Sequence, residues 1–395
     1  MPADTPRPTP NRLASLDAYR GFVMLLMMGE VLSFRQVADA LPGNALFGFL
    51  AHHQSHAEWI GCSLHDLIQP SFSFLVGAAL PYSLARRAAE GQSQARRTLH
   101  AFSRALILVL LGVFLRSTGS DHTHWTFEDT LSQIGLGYGF LYLLGLRSAR
   151  TQGIALALIL AGYWLLFALY PLPGANFDWT AAGAKPALML PGFAAHWSLN
   201  TNAAAAFDRW FLNLFPPHGW FAHNGGGYCT LSFIPTLGTM ILGLLAGGVL
   251  RSERTNAAKL RLFAVAAAAG LAFGGVLGAL GICPVVKRIW TPSWVLFSGG
   301  WCFLLLAGFY LTLDVRKRCG WAYPLIVVGV NSIAAYLIAH LWARFIFRAL
   351  PRHFGSLWFT FAGDAYAPLF HGAGVLLTEW IILWWMRRKK IFLRI

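Results

Sequence analysis

Ten apolar stretches, each close to the length that crosses a lipid bilayer, dominate this chain. A membrane-spanning helix needs about 20 predominantly apolar residues. Charged residues, which a soluble surface requires, make up only 12% of the 395 residues, and the mean hydropathy is +0.53. The sequence therefore predicts an all-α integral membrane protein, a bundle of about ten transmembrane helices, and excludes a soluble enzyme. The predicted spans are 14–36, 64–85, 99–117, 130–147, 152–171, 231–250, 262–282, 293–313, 322–345 and 369–386.

Basic residues give the predicted bundle its sidedness. The chain carries 31 Lys and Arg against 16 Asp and Glu, and most of the basic residues fall in alternate short loops and at the C-terminal end. Cytoplasmic loops of membrane proteins carry such an excess, so we expect both termini in the cytoplasm. The predicted organisation is an N-terminal tail at 1–13, a transmembrane domain at 14–390 and a C-terminal tail at 391–395, without a removable signal peptide. Charges placed beside membrane spans argue against a nucleic-acid partner.

Two long segments, about 37–63 and 172–230, fall on the predicted outer side. They are rich in Trp, His, Asn, Pro and Gly, which predicts ordered loops folded over the outer mouth of the bundle. Cys62, Cys229 and Cys283 also lie on this side, and they form either one disulfide or a set of free, packed thiols. Glycine stripes within the spans predict close helix contacts and permit a homodimer.

Ionisable residues inside membrane spans are costly and are therefore functional candidates. Asp17 and Arg20 lie three residues apart at the inner end of the first span, where they form a structural ion pair or bind an anionic cytosolic ligand. Glu30 lies near the outer end of the same span, and His340 and Glu379 lie in the last two spans.

The stretch from His52 to Pro70 contains the densest group of polar residues with possible chemistry. Ser63 and Asp66 have the spacing of a capping box at the start of the second span, which explains Asp66 structurally. Alternatively, Asp66 orients the imidazole of His56, which then acts as a general base or carries an acyl group.

Zinc binding is a weaker interpretation of the same stretch. His52, His53 and His56 lie near Glu58 and Asp66, but their spacing matches no strong metal motif, so we expect no metal. The chain also lacks a phosphate-binding G-x-x-x-x-G-K-[ST] loop and a G-x-S-x-G elbow. Their absence argues against ATP-driven transport and serine hydrolysis.

The chain resembles the heparan-α-glucosaminide N-acetyltransferase family and its bacterial relatives. The resemblance rests on R-L-A-S-L-D-A-Y-R-G (Arg12 to Gly21), H-A-E-W-I-G-C-S-L-H-D-L-I-Q-P-S-F (His56 to Phe72), K-R-I-W-T-P-S-W (Lys287 to Trp294), G-V-N-S-I (Gly329 to Ile333) and R-K-K-I-F-L-R-I (Arg388 to Ile395). The similarity extends over nearly the whole chain, and the combination of these motifs is specific.

The resemblance implies a transmembrane acetyltransferase in a bacterial inner membrane. It would move an acetyl group from cytosolic acetyl-coenzyme A to the amine of a glucosamine-type sugar on the other side. The family's catalytic histidine matches His56, its carboxylate ten residues later matches Asp66, and its S-L-D-x-x-R-G start places Asp17 and Arg20 in the site. Where family members often carry a Gln-Arg pair, this chain has Ser132 and Gln133. The animal enzymes also carry a luminal N-terminal domain and an additional membrane span with no counterpart in this sequence, so the resemblance does not require heparan as the acceptor.

These matches lead to a proposed arrangement of the two substrates. We expect coenzyme A to enter from the cytoplasm, with its phosphates near Arg20 and, less distinctively, Arg86 and Arg87. Asn331 and Ser332 are candidates for hydrogen bonding to the thioester, or else bond between helices. On the outer side, the residues assigned to the acceptor are Glu30, Trp59, Lys287 and His340. Further outer residues that stack on a sugar or anchor the membrane interface are Trp197, Trp210, Trp220 and His223.

Two other classes of protein fit the same topology. A proton-coupled sugar transporter would use His56, Asp66 and Glu379 as a proton pathway and would not need coenzyme A. A non-catalytic membrane scaffold is the third possibility, but it leaves the polar residues on one face unexplained.

Overall fold

The computed structural model describes residues 13–215 and 219–393, and within these ranges the chain is helical and has no β-strand. The predicted all-α class is confirmed. The parts of the predicted tails at 1–12 and 394–395, and His218, lie outside the described residues. The helices are α1 (Ala14–Met28), α2 (Phe34–Ala40), α3 (Ala45–His53), α4 (Ile68–Ala89), α5 (Gln94–Ser117), α6 (Thr130–Gly145), α7 (Ala149–Ala168), α8 (Ala203–Phe211), α9 (Phe233–Arg251), α10 (Asn256–Ala279), α11 (Pro292–Phe309), α12 (Tyr323–Gly329), α13 (Ser332–Leu341), α14 (Ala343–Phe354), α15 (Leu357–Thr360) and α16 (Ala367–Arg388).

Eight helical segments in the described part of the chain are long and apolar enough to cross a membrane. A ninth is possible if the pair Gly320–Gly329 and Ser332–Leu341, bent by 67°, counts as one span. The predicted span at 130–147 is α6, a helix of 16 residues, which is shorter than a full crossing usually requires. The multi-pass membrane architecture is confirmed, the count of ten is not reached, and the sidedness stays a prediction.

The bend in the ninth segment occurs where the C-terminal end of the chain packs against it. Asn331 separates α12 from α13, and its side-chain amide donates a hydrogen bond to the carbonyl oxygen of Ile391 at 2.8 Å. Its amide oxygen accepts a hydrogen bond from the backbone N–H of Leu393 at 3.2 Å. Because Asn331 is buried, these two bonds satisfy an otherwise costly amide and fix the end of the chain against the bend.

The outer segments are ordered, as predicted. Asn202 caps the N-terminus of α8 by accepting from the backbone N–H of Ala205. Trp197 is fully buried, and its carbonyl oxygen accepts a hydrogen bond from the indole N–H of Trp59 at 3.1 Å. The two outer loops are therefore held together by a buried aromatic core. All five cysteines lie in the described residues and are free thiols.

Glycines allow the backbones of α4 and α9 to approach closely. A Cβ atom placed on Gly243 would collide with the backbone carbonyl of Phe74, and one on Gly247 would meet the carbonyl of Ala78. Gly77 makes the reciprocal approach to the backbone of Met240. The predicted small-residue stripe therefore packs helices within this chain. It positions α4, which begins directly beside the polar cluster described below.

We predict that Gly243→Ala lowers the free energy of unfolding by about 1 to 3 kcal/mol, because the added methyl group must push two helix backbones apart. Gly248→Ala is the matched control, since it lies on the same helix with no atom within 4 Å of the added Cβ. Thermal unfolding of the detergent-solubilised protein measures both. Equal melting temperatures for the two variants would contradict the packing argument.

Candidate functional site

Three polar side chains meet at the start of α4. The Nδ1 atom of His56 lies 2.8 Å from Oδ1 of Asp66 and 3.0 Å from Nζ of Lys287. Nζ of Lys287 lies 3.3 Å from the same Asp66 oxygen. Asp66 and Lys287 are buried, whereas the His56 side chain is 37% exposed. The predicted His56 and Asp66 contact each other, and Lys287, predicted on the acceptor side, completes the cluster.

The carboxylate of Asp66 is saturated with hydrogen-bond donors. Its Oδ2 accepts from the backbone N–H groups of Ala57 and Ser63, each at 3.0 Å, and from the hydroxyl of Ser63 at 3.1 Å. The N–H of Asp66 in turn donates to the hydroxyl of Ser63 at 3.3 Å. This is the reciprocal bonding of a capping box. The capping bonds use Oδ2, and the contact with His56 that an orienting role would require uses Oδ1.

These contacts determine which nitrogen of His56 is available for chemistry. A carboxylate oxygen accepts, so Nδ1 of His56 carries a proton that it donates to Asp66. The ammonium group of Lys287 then bonds to Asp66, and its approach to Nδ1 is a contact. In the neutral ring, Nε2 is left with a lone pair, which is the state that a general base or a nucleophile requires.

The surroundings favour a neutral imidazole. Burial lowers the pKa of His56 below its ordinary value, the hydrogen bond to Asp66 opposes this effect, and the charge of Lys287 lowers the pKa further. Burial also lowers the pKa of Lys287, against the attraction of Asp66. Burial raises the pKa of Cys62 to about 12, so this thiol near Asp66 is protonated and is not a nucleophile.

A cavity of about 580 Å³, which we call the histidine cavity, opens beside the cluster. Glu30 lines it and pairs with Nε2 of the buried His65 at 2.9 Å. His340 lines it as well and stacks on Tyr336, with ring centroids 4.1 Å apart. The polar and aromatic residues of the wall are Glu30, His56, His65, Gln69, Phe72, Arg116, Glu128, Asp129, Thr130, Tyr228, Lys287, Tyr336 and His340.

A second cavity, of about 490 Å³, has a strongly basic lining, and we call it the arginine cavity. Arg104 lines it, and its guanidinium lies over the ring of Tyr138 and donates to the Tyr138 hydroxyl at 3.2 Å. Phe72 lines both cavities and so forms a wall between them. The basic residues of the lining are Arg20, Arg86, Arg87, His100 and Arg104.

The same helix faces line both cavities. Residues spaced three or four apart share one face of a helix. On α4 this face carries Gln69, Phe72, Val76, Ala79, Ser83 and Arg86, and on α5 it carries His100, Arg104, Leu108, Gly112 and Arg116. At 1.5 Å per residue, the α4 face extends for about 25 Å from Gln69 to Arg86. The lining changes along it from polar through apolar to basic.

Some of the residues predicted at the inner end line the arginine cavity, whereas Asn331 has a structural role instead. Arg20 lines the arginine cavity and bonds to Asp17 at 3.3 Å, and Ser332 lines the same cavity. Asn331 does not line it, because its amide holds the C-terminal end of the chain. Two further residues of this lining, Phe392 and Leu393, belong to that end.

Likewise, only some of the residues predicted at the outer end line the histidine cavity. Glu30, Lys287 and His340 line the histidine cavity, but Trp59 is buried against Trp197 and does not. Trp197 has no exposed surface either, whereas Trp210 and Trp220 are exposed. Nδ1 of His223 lies 3.1 Å from the carbonyl oxygen of Ala181. Glu379 lines neither cavity.

Sequence reasoning missed several residues of the two walls. His65 lies within the predicted active stretch, but nothing in the sequence pairs it with Glu30, 35 positions away. Arg104 belongs to none of the motifs on which the resemblance rests. Glu128 and Asp129 precede α6, and the D-T-L-S sequence signals a helix cap. Burial raises the pKa of Glu128 above its ordinary value, opposed by Arg116.

Metal binding finds no support in the geometry. Within 13–215 and 219–393, no three His, Cys, Asp or Glu side chains are grouped so that they would hold a metal ion. His53 uses its Nδ1 to accept from the backbone N–H of Leu64 at 3.3 Å.

We predict that Asp66→Asn lowers the free energy of unfolding by about 3 to 5 kcal/mol, because it leaves the buried Lys287 charge without its counter-ion. The double variant Asp66→Asn, Lys287→Met should recover part of this loss. Chemical unfolding in detergent measures both. Asp39→Asn is the control, since its ion pair with Arg35 is exposed and should contribute under about 1 kcal/mol. A double variant as unstable as the sum of its single variants would refute the coupling.

The chain shows sequence similarity to two curated proteins over most of its length. No family model matches it. It is 25% identical over 368 residues to the heparan-alpha-glucosaminide N-acetyltransferase of Homo sapiens, covering 83% of this chain and 52% of the human protein. It is 23% identical over 375 residues to the protein of the same name from Mus musculus, covering 85% and 54%. The chain thus spans about half the length of the curated relatives it matches. The similarity over more than four fifths of this chain supports a family-level relationship to the heparan-alpha-glucosaminide N-acetyltransferases.

Proposed function

We propose that this protein is a membrane acetyltransferase that moves an acetyl group from acetyl-coenzyme A to the amine of a glucosamine-type sugar. One observation carries the proposal: a single set of helix faces joins a basic cavity to a cavity lined by an oriented histidine. The names of the two relatives support acetyl transfer to a glucosamine unit. A reaction between two polar substrates on opposite sides of a membrane needs this kind of connection.

The arginine cavity suits the donor. Coenzyme A carries phosphate groups, and guanidinium groups bind phosphate through paired, charge-assisted hydrogen bonds. Arg20, Arg86, Arg87 and Arg104 supply four guanidinium groups around one cavity. The apolar lining beyond them, from Leu108 and Val76 to Phe72, suits the uncharged arm that carries the acetyl thioester. The predicted sidedness places this end in the cytoplasm.

His56 suits the transfer step. In the direct route, Nε2 takes a proton from the acceptor amine while the amine nitrogen attacks the thioester carbon, the C–S bond breaks and the thiolate of coenzyme A leaves. In the two-step route, Nε2 itself attacks the thioester carbon, the C–S bond breaks, the thiolate of coenzyme A leaves and an acetyl-imidazole forms. The amine nitrogen then attacks the acetyl carbon, the bond from that carbon to Nε2 breaks, and Nε2 takes the proton that the amine loses. Both routes need the tautomer that the hydrogen bond to Asp66 favours.

The acceptor and the location extend beyond the family relationship. We propose an amino sugar presented on the outer face of a bacterial inner membrane, because His56 and Tyr228, which line the histidine cavity, belong to the two segments predicted to lie outside. Contact with membrane lipid follows from the spanning helices, and a homodimer stays a prediction.

We predict that His56→Ala reduces acetyl transfer at least about 10²-fold, because the acceptor amine loses its base or the acetyl group its carrier. Purified protein in liposomes receives acetyl-coenzyme A on one side and glucosamine on the other, and mass spectrometry detects N-acetylglucosamine. His52→Ala is the matched control, as an exposed histidine of the same segment that does not line the cavity. Movement of unmodified glucosamine without consumption of acetyl-coenzyme A would favour the transporter and refute this proposal.

We predict that Lys287→Met moves the acidic limb of the activity profile to higher pH. The charge of Lys287 lowers the pKa of His56, so its removal raises that pKa, and the neutral imidazole is then lost at a higher pH as the solution becomes more acidic. Two groups that act on His56 stay in place in this variant: Asp66, which raises the pKa of His56, and His65, which lowers it. The rate of acetyl transfer between pH 5 and 8 measures the shift.

Lys185→Met is the control for the pH profile, because it removes one positive charge from an exposed position in an outer segment. An acidic limb that stays in place, or moves to lower pH, in Lys287→Met would show that the ionisation of His56 does not limit the rate.

A further inference from the structure

A buried carboxylate oxygen without a partner lies in the wall of the histidine cavity. Asp129 lines the cavity and is only 7% exposed. Its Oδ1 caps α6 by accepting from the backbone N–H groups of Leu131 at 2.9 Å and Ser132 at 3.1 Å. Its Oδ2 has no hydrogen-bond partner among the described residues.

An unpartnered carboxylate oxygen in a buried place is unfavourable, because it has lost the water that would otherwise bond to it. The other groups nearby do not relieve it. Arg116 lies closest to Glu128, with 3.8 Å between the guanidinium and the carboxylate. A capping role alone needs one oxygen, which Asp129 already uses. The second oxygen therefore has no role in the cap, and a donor that enters the cavity can bond to it only by displacing the protein atoms that now cover it.

The absence of a side chain at Gly112 leaves room for this carboxylate. A Cβ atom on Gly112 of α5 would lie 2.6 Å from both carboxylate oxygens of Asp129, so only a glycine permits their present position. Gly112 itself lines the cavity. The carboxylate is thus held between the start of α6 and the open face of α5, at the edge of the cavity.

We propose that Oδ2 of Asp129 binds a ring hydroxyl of the acceptor and so selects a sugar over a simple amine. This inference rests on the proposed function. A carboxylate only accepts hydrogen bonds, and the ligand must offer a donor. The amine of the acceptor has to be neutral and close to His56 when it reacts, so the hydroxyl groups of the sugar are the donors left for Asp129. A site that bonds a substrate hydroxyl discriminates strongly against analogues that lack it.

The test compares three probes that separate the hydroxyl groups from the amine. Glucosamine has both, glucose has hydroxyl groups only, and cyclohexylamine has the amine only. Binding of each to the purified full-length protein in detergent, without acetyl-coenzyme A, is measured by isothermal titration calorimetry. For Asp129→Ser, which keeps a side-chain oxygen for the cap, we expect the Kd values of glucosamine and glucose to rise about 10-fold or more. The Kd of cyclohexylamine should change less than about 3-fold.

Two further variants keep the comparison interpretable. Asp129→Asn retains the shape and the capping oxygen but replaces the free acceptor by a donor, so it should weaken both sugars even if the serine variant folds poorly. Glu128→Gln removes a negative charge from the same wall without touching Oδ2, and it should affect sugar binding less than either. Melting temperatures confirm that the compared variants are folded.

The possible outcomes separate this inference from the proposed function. Weaker sugar binding in both Asp129 variants supports the inference, even if the wild-type protein transfers no acetyl group. Unchanged sugar binding in the variants, or no sugar binding by the wild type, overturns it, whether or not acetyl transfer occurs. A loss of binding for cyclohexylamine but not for glucose would also overturn it, because Asp129 would then bind the ammonium group.

Discussion

The geometry of the site depends on one buried carboxylate. Asp66 accepts hydrogen bonds from its own helix start, from the loop before it, from His56 and from Lys287. Lys287 comes from the segment before α11, which a bridge between Ile60 and Val286 holds against the same loop. A carboxylate with this many donors and a cationic neighbour stays ionised where a lone charge would not. The orientation of the imidazole, the start of α4 and the position of Lys287 therefore depend on one another.

Distance along the bundle separates two environments that would interfere if they were adjacent. The cluster of arginines would attract carboxylates and repel a cationic amine, whereas the histidine cavity carries several carboxylates. Between them the shared helix faces are apolar, and Phe72 closes the gap. An apolar partition of this kind opposes the passage of ions, because moving a charge into low dielectric is costly. Under the proposed function, Phe72 would have to move aside for the uncharged thioester arm to pass from one cavity to the other.

The sequence predicted those parts of the molecule that depend on local pattern. Membrane spans follow from runs of apolar residues, and the capping role of Asp66 follows from its spacing to Ser63. Contacts between distant segments could not be predicted from local pattern. Lys287 lies 231 positions from His56, and in the sequence only the family resemblance assigned both residues to one site. Trp59 and Asn331 sit in matching motifs, yet their polar atoms bond to backbone of the protein itself. A motif shows that a residue matters, and it does not distinguish a residue that holds the site from one that contacts the substrate.

Two carboxylates at the ends of different helices share one design. Asp66 at the start of α4 and Asp129 at the start of α6 each give one oxygen largely to backbone N–H groups. The positive end of a helix favours the charged form of such a group, so the fold itself keeps the charge in place. The other oxygen takes no part in the cap, and in Asp66 it bonds to His56 and to Lys287. A capping carboxylate beside a cavity is therefore a candidate functional group as well as a helix cap. It qualifies when the cap uses only one of its two oxygens, because the other oxygen can then bond to a further group.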